Sequence, residues 1–376
     1  MFAAVEFNKI KIYTKNEETF TIHQTLIEDG TSINSIDFSK NGKHFAVASQ
    51  DKFYLWYIDE DKTFQLVETL NVEFESICFT PDSLSLLCCG DNSIKFYDIE
   101  DNVMLDVIKG TDTIYMIKYI PETKTFIYNG YVESEDDIPH TYTKSATPRE
   151  NGIYFNFEEY DGEIFGISMS NKISSRDSCT AVFRGYENKY VDIFEFAQDM
   201  NDHIQRIETE NVVKLSEVSP DSSVIFISGV NDNGLLFAKV TIDHEEKYVE
   251  FQDFKNTNPD WNHVECVAFS PCSENLIVSS EVIENGVPFN FITVLKLNEG
   301  SIYRTVDEIL IPGGPGINML LFCPDRDEED DEYGEEESES DSDSDSESES
   351  NSDDNNEESE SDSESDEDIS LNRPRE

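Results

Sequence analysis

A closed ring of seven four-stranded β-sheets, a β-propeller, is the fold this 376-residue sequence predicts, and three observations predict it. One phrase, a hydrophobic strand ending in a turn, returns seven times. Its copies lie at the spacing of a propeller blade. Three spare strands at the N-terminus match the three that the last copy lacks.

The phrase reads Ile33-Asn-Ser-Ile-Asp-Phe38-Ser, Phe74-Glu-Ser-Ile-Cys-Phe79-Thr-Pro-Asp82 and Ile114-Tyr-Met-Ile-Lys-Tyr119-Ile-Pro121. It returns as Ile164-Phe-Gly-Ile-Ser-Met169-Ser, Val213-Lys-Leu-Ser-Glu-Val218-Ser-Pro-Asp221, Val264-Glu-Cys-Val-Ala-Phe269-Ser-Pro271 and Ile317-Asn-Met-Leu-Leu-Phe322-Cys-Pro-Asp325. The anchors 38, 79, 119, 169, 218, 269 and 322 lie 41, 40, 50, 49, 51 and 53 residues apart. A period of about 40 to 50 residues built from short strands is the mark of a propeller blade.

The first full repeat predicts strands at 33–38, 44–49, 53–58 and 64–69, all rich in aromatic and branched residues. Lys40-Asn-Gly42 and Asp59-Glu-Asp61 supply turns between them. The second repeat adds strands at 84–88, 93–97 and 103–108, and the sixth at 275–279, 289–297 and 302–309. The seventh copy stops at Pro324, with one strand. Strands at 2–7, 9–13 and 20–25 stand ready to complete it. Blade seven is therefore expected to pair one C-terminal strand with three N-terminal ones, leaving no long exposed sheet edge.

Residues 1–324 resemble the WD40-repeat family. The residues that carry the resemblance are Phe38-Ser-Lys-Asn-Gly42 followed by Leu55-Trp56, and Phe79-Thr-Pro-Asp82 followed by Gly90-Asp91-Asn-Ser-Ile-Lys-Phe-Tyr97-Asp98. In the family a tight-turn Asp lies six residues before a Trp. Asp91 and Tyr97 keep that spacing, and Asp51 and Trp56 are one short, so Asp51 and Asp91 are the candidate turn residues the resemblance implies. No Gly-His dipeptide occurs, so the family's buried His–Asp–Ser–Trp network is expected to be mostly missing. The stretches 33–42 and 91–98 also resemble the opening repeats of the small WD40 subunit of Set1-type histone methyltransferase complexes.

Formal net charge is −54, about −24 of it in residues 325–376 and −30 in residues 1–324. A body that acidic repels nucleic acid and anionic membrane at long range. No apolar run reaches the length of a membrane span, and no signal-like start is present. The seven cysteines are odd in number, and Cys88 and Cys89 point to opposite faces of one strand. Reduced, buried thiols in a nuclear or cytoplasmic protein are expected.

From Asp325 the chain alternates serine with carboxylate and holds almost nothing apolar. Such a segment is expected to be a disordered acidic tail. Ser338, Ser340, Ser342, Ser344, Ser346, Ser348 and Ser350 lie in acidic surroundings, most with a carboxylate three residues on. That resembles the consensus of acidophilic casein-kinase-2-type kinases, and each phosphate adds about −1.5 to −2 charges. Tails of this kind recur in nuclear and nucleolar proteins and suit basic partners such as histones or ribosomal proteins.

Chemistry has few footholds. The six histidines show no metal-ligand spacing, no GxSxG elbow occurs, and Gly313-Gly-Pro-Gly316 lacks the Lys-Ser/Thr of a phosphate loop. No cofactor or metal is expected. Some seven-bladed propellers are lactonases, and a convergent His/Glu/Arg cluster in the channel would mark that alternative. The acidic insertion within 131–162 reads as a solvated loop, and Trp261 as a candidate partner contact near the channel. The reading is a non-catalytic scaffold, monomeric within a larger protein complex. The alternatives are a subunit of a Set1-type complex and a chaperone for histones or ribosomal proteins.

Overall fold

The computed structural model describes residues 1–6, 8–16, 19–27, 31–90, 92–109, 113–120, 125–132, 140–148, 155–160, 164–169, 178–185, 189–197, 200–209, 212–229, 235–242, 247–254, 263–284, 287–297, 303–311 and 316–324. Among them every regular element is a strand. The first three are β1 (Phe2–Glu6), β2 (Lys9–Asn16) and β3 (Thr19–Ile27). Blade one holds β4 (Ile33–Phe38), β5 (His44–Ser49), β6 (Phe53–Ile58) and β7 (Phe64–Leu70). Blade two holds β8 (Ser76–Phe79), β9 (Ser85–Gly90), β10 (Ser93–Asp98) and β11 (Val103–Lys109). Blade three holds β12 (Thr113–Ile120), β13 (Thr125–Val132), β14 (His140–Pro148) and β15 (Phe155–Tyr160). Blade four holds β16 (Ile164–Met169), β17 (Ser178–Gly185), β18 (Tyr190–Ala197) and β19 (Met200–Glu208). Blade five holds β20 (Val213–Val218), β21 (Val224–Gly229), β22 (Leu235–Ile242) and β23 (Lys247–Phe254). Blade six holds β24 (His263–Phe269), β25 (Asn275–Glu284), β26 (Val287–Leu297) and β27 (Tyr303–Ile311), and β28 (Ile317–Phe322) ends the described chain.

Seven four-stranded antiparallel sheets result, and the seventh has the order β28-β1-β2-β3. The expected closure is therefore present. β1 pairs along β28 from Phe2↔Phe322 to Glu6↔Ile317, and the Cys323 amide donates to the Met1 carbonyl at 3.0 Å. β28 in turn neighbours the inner strands of blades one and six, joining the first and last blades at this seam. Phe2 locks the seam. It is fully buried, stacks on Tyr13 at 5.0 Å between ring centres, and meets Phe322 edge-on at 5.8 Å. A buried Glu6–Lys11 ion pair of 2.7 Å ties β1 to β2.

The core lies between the sheets. Alternate residues of each strand face one blade neighbour or the other. Cys88 and Cys89 show this directly: Cys88 packs with the core shared by blades one and two, Cys89 with that shared by blades two and three. None of the described cysteines forms a disulfide, and Cys88, Cys89, Cys266 and Cys323 are buried as expected. Cys272 departs from the expectation. It is exposed, because it occupies the β24–β25 turn. Several strands also outrun their expected ends. β25 reaches Glu284, because its hairpin with β26 stays paired to Glu284↔Val287.

The turns after the inner strands explain the Ser-Pro-Asp punctuation. In Ser39–Gly42, Thr80–Ser83, Ser219–Ser222 and Ser270–Ser273, the first hydroxyl accepts from the amide five residues on. The fourth residue is left-handed, with φ of 65°, 62°, 61° and 61°. Ser83 and Ser273 are strained there, and the hydroxyl of each offsets the strain through a bond with the turn of the preceding blade. Ser83 Oγ accepts from the Asn41 amide at 3.1 Å, and Ser273 Oγ from the Asp221 amide at 3.0 Å. One turn motif thus stitches blade to blade.

Contacts group Met1–Asp327 into one compact unit. The expected tail, with the seven candidate serines Ser338 to Ser350, lies outside the described residues. Two outcomes test the packing account by urea unfolding. Phe2→Ala is expected to cost roughly 3 to 5 kcal/mol by opening the seam. Ser83→Ala, which keeps the strained turn and loses the inter-blade bond, is expected to cost about 1 kcal/mol, and Ser83→Gly less, because glycine relieves the strain.

Candidate interaction site at the channel

Six of the seven inner strands begin with the same irregularity. One residue is skipped in its pairing, at Asn34, Tyr115, Phe165, Lys214, Glu265 and Asn318. Glu75 holds the matching place in blade two, where its amide donates to the Cys89 carbonyl at 2.8 Å. Gly90 makes that close approach possible. A Cβ on it would lie 3.1 Å from the Glu73 carbonyl oxygen and the Phe74 Cα. A bulge bends its strand and re-aims the extra side chain. Repeated around the ring, it sets one side chain per blade at the leading end of the inner strands.

The described members of this set are polar or aromatic. Asn34 donates to the Phe74 carbonyl at 3.0 Å, linking blades one and two. Lys214 Nζ lies 3.2 Å from Glu265 Oε2, linking blades five and six. Tyr115 rests against Tyr131 at 6.4 Å. Glu75 and Asn318 are exposed. Partial desolvation and the neighbouring Glu73 raise the Glu75 pKa.

A second layer follows at the residue before each anchor: Asp37, Cys78, Lys118 and Glu217 on β4, β8, β12 and β20. They belong to four blades yet act on one another electrostatically, which only the space inside the ring permits. Lys118 is exposed, but to the channel. Desolvation works against its charge, and the facing Cys78, Asp37 and Glu217 outweigh it and raise its pKa. Asp37 accepts from the Phe79 amide at 2.7 Å and the Phe38 amide at 3.0 Å. Burial pushes its carboxyl up to about 6, against the opposing pull of Lys118 and these amides. Burial pushes the Cys78 thiol up to about 12. A protonated thiol and a protonated amine are poor nucleophiles at neutral pH. The layer is suited to holding a charged group, with Asp37 as its titrating member.

Among the sequence-predicted residues, Asp51 sits in the β5–β6 turn. The Thr31 hydroxyl donates to Asp51 Oδ1, and Ser49 Oγ donates to the same oxygen at 3.2 Å. The Thr31 bond holds the Asp51 carboxyl below the usual carboxylate range, against a smaller desolvation and with help from Ser49. Thr31 thus ties the segment before β4 to the β5–β6 turn. Trp56 lies in the core against Phe45 and Tyr54. Asp91 and Trp261 lie outside the described residues, as does Glu133–Asp137 of the insertion. Among the described residues no three His, Cys, Asp or Glu side chains gather as a metal site. Sequence reasoning missed both channel layers. The signal was present as fixed columns of the repeated phrase, one residue and four residues before each anchor.

The model of the family described as WD domain, G-beta repeat, matches residues 17–56 and 66–98. These stretches run through the third strands of blades one and two. Residues 17–56 and 66–98 thus match WD40 repeats, within a fold of seven four-stranded sheets. No curated protein matches it in sequence. Solved structures share its fold. A candidate 6-phosphogluconolactonase from Bacteroides uniformis is similar at 12% identity and a TM-score of 0.60, over 85% of this chain and 98% of that one. A functionally unknown protein from Desulfotomaculum acetoxidans is similar at 12% identity and 0.59, over 86% and 99%. The β-propeller domain of Cps50 (Swd1) from Myceliophteria thermophila is similar at 12% identity and 0.51, over 76% and 89%.

The pKa of Asp37 yields a prediction. Its folded-state pKa lies above the unfolded value, so the proton it holds stabilises the fold at low pH. That contribution is present below about pH 4 and is lost as pH rises through about 6. Asp37→Asn keeps an acceptor for the Phe79 amide and removes the titration. The variant's stability relative to the parent is expected to rise between pH 4 and 6, by on the order of 1 kcal/mol. Urea midpoints of both proteins across that pH range check it, and parallel curves would refute it.

Proposed function

We propose that this protein is a non-catalytic scaffold that docks segments of other proteins on the leading-end face of its propeller, within a multiprotein complex. The observation that carries the reading is the recurring bulge, which sets Asn34, Glu75, Tyr115, Lys214, Glu265 and Asn318 around one channel mouth. A rigid ring presents these groups at fixed spacing, which spares a partner the ordering cost of a flexible site. The mouth and the layer beneath it carry more carboxylates than lysines, in a body of about −30, so the docked segment is read as basic.

In this reading the Ser/Asp/Glu-rich stretch 325–376 captures basic partners such as histones or ribosomal proteins, and phosphorylation of Ser338–Ser350 strengthens the capture. The attraction is long-ranged and weakens with salt. A nuclear setting suits such partners. A second reading, a subunit of a Set1-type methyltransferase complex, is supported by the resemblance at 33–42 and 91–98, with the Swd1 propeller among the fold neighbours. The candidate-lactonase neighbours support a propeller hydrolase only at the level of fold. The raised pKa values of Cys78 and Lys118 argue against nucleophilic chemistry in the layer they share.

The test is affinity capture at low and moderate salt with the full chain, a chain ending at Pro324, and Glu75→Lys combined with Glu265→Lys. The expected result is a defined set of partners shared by the first two and bound about tenfold more weakly by the charge-reversed mouth. Partners that follow residues 325–376 alone, and vanish with salt, would overturn the docking role of the mouth and favour the chaperone reading. Turnover of 6-phosphogluconolactone would overturn the non-catalytic reading.

A further inference from the structure

The outer strands of the blades are sheet edges, and an open edge offers a row of backbone donors and acceptors to any extended chain. Five of the seven are interrupted by bulges. The pairing of the outer strand skips Val67 in blade one, Val107 in blade two, Ile204 in blade four, Val306 in blade six, and both His23 and Leu26 in blade seven. A bulge twists an edge and spoils the even spacing that strand addition needs. Three of these edges are also tied to a neighbouring blade. Phe20 N donates to Asp307, Gln24 exchanges two hydrogen bonds with Phe64, and Asn102 donates to Glu68.

Blades three and five differ. β15 pairs with β14, and β23 with β22, without a shift. β23 is the longer, matched residue for residue from Leu235↔Phe254 to Ile242↔Lys247. It is the last strand of its sheet. Five edges carry the bulge that discourages strand addition, and among the described residues β23, which also neighbours β19 of blade four, keeps the longest outer-strand pairing without one.

We propose that the β23 edge of blade five is a docking site for an extended, lysine-bearing segment of a partner protein, which adds as a fifth strand. The backbone specifies an extended occupant, because only a strand can match the row of amides and carbonyls. Charge specifies the rest. β23 carries Glu250 and Asp253 against Lys247, in a body of about −30. A second copy of this chain would bring an equal negative charge to the edge and is disfavoured. The proposal extends the scaffold reading to a surface remote in sequence from the channel-mouth residues of blades one to three.

The probe is a short synthetic peptide alternating valine and lysine, added to the full-length protein. The control is the same peptide with alternate amide nitrogens methylated, which keeps the charge and removes donors. Hydrogen exchange is read along the chain, and binding by fluorescence anisotropy. The expected result is slowed exchange confined to alternate amides of 247–254, and binding weakened about tenfold or more by methylation. Val249→Pro and Glu250→Pro sharpen the test. One of these neighbouring amides points outward and the other into the β22 ladder. The substitution that leaves thermal unfolding unchanged is expected to abolish peptide binding. Equal binding of the methylated peptide, protection at another blade, no binding, or protection arising from a dimer of this chain would each overturn the proposal. Glu75→Lys with Glu265→Lys is expected to leave peptide binding at β23 within about twofold. Loss there would show that the mouth, not the edge, holds the peptide.

Discussion

The pairing of β1 with β28 is the constraint on which the rest of the molecule depends. Each blade is one small sheet that cannot bury both of its faces alone. It needs a neighbour on each side, and a linear array always leaves two ends bare. By lending three N-terminal strands to the last inner strand, the chain removes both ends at once. The seam packs aromatic rings, with Phe2, Tyr13 and Phe322 in contact. The closure also fixes the diameter of the ring, and so brings Asp37, Cys78, Lys118 and Glu217 of four blades within electrostatic reach.

Within that ring, two ends of the inner strand do different work. At the trailing end, the turns Thr80–Ser83 and Ser270–Ser273 join blade to blade through a strained serine whose hydroxyl accepts from the turn before it. At the leading end, the bulges turn one side chain per blade toward the channel mouth. The first device stabilises the ring and the second displays groups from it. Binding surfaces commonly lie where a rigid frame holds short irregular segments, and the bulges are such segments.

Much of the architecture was legible in the residues. The anchors from Phe38 to Phe322 mark the ends of inner strands or lie within one residue of them, and the deficit of three strands after Phe322 was met where expected. These features repeat, and repetition separates pattern from accident. The candidate site was less legible. Trp56 drew attention as a family residue and proved to be core, while Lys118 and Glu217 looked like ordinary alternating polar residues of a strand. The Thr31–Asp51 hydrogen bond joins residues 20 apart in the chain, and no spacing in the sequence marks it.

The sequence by itself determined the class of fold, the number of blades and the closure, because these follow from hydrophobic period and strand count. It also determined the acidity of both the body and residues 325–376. Only the tertiary structure decided which side chains meet. Asp37 and Lys118 lie far apart in the chain and face each other solely because the ring closes. Bulges, which choose the displayed side chain at the mouth and blunt five of the outer edges, depend on how two strands settle against each other. That register is a property of the pair, and neither strand's sequence carries it alone.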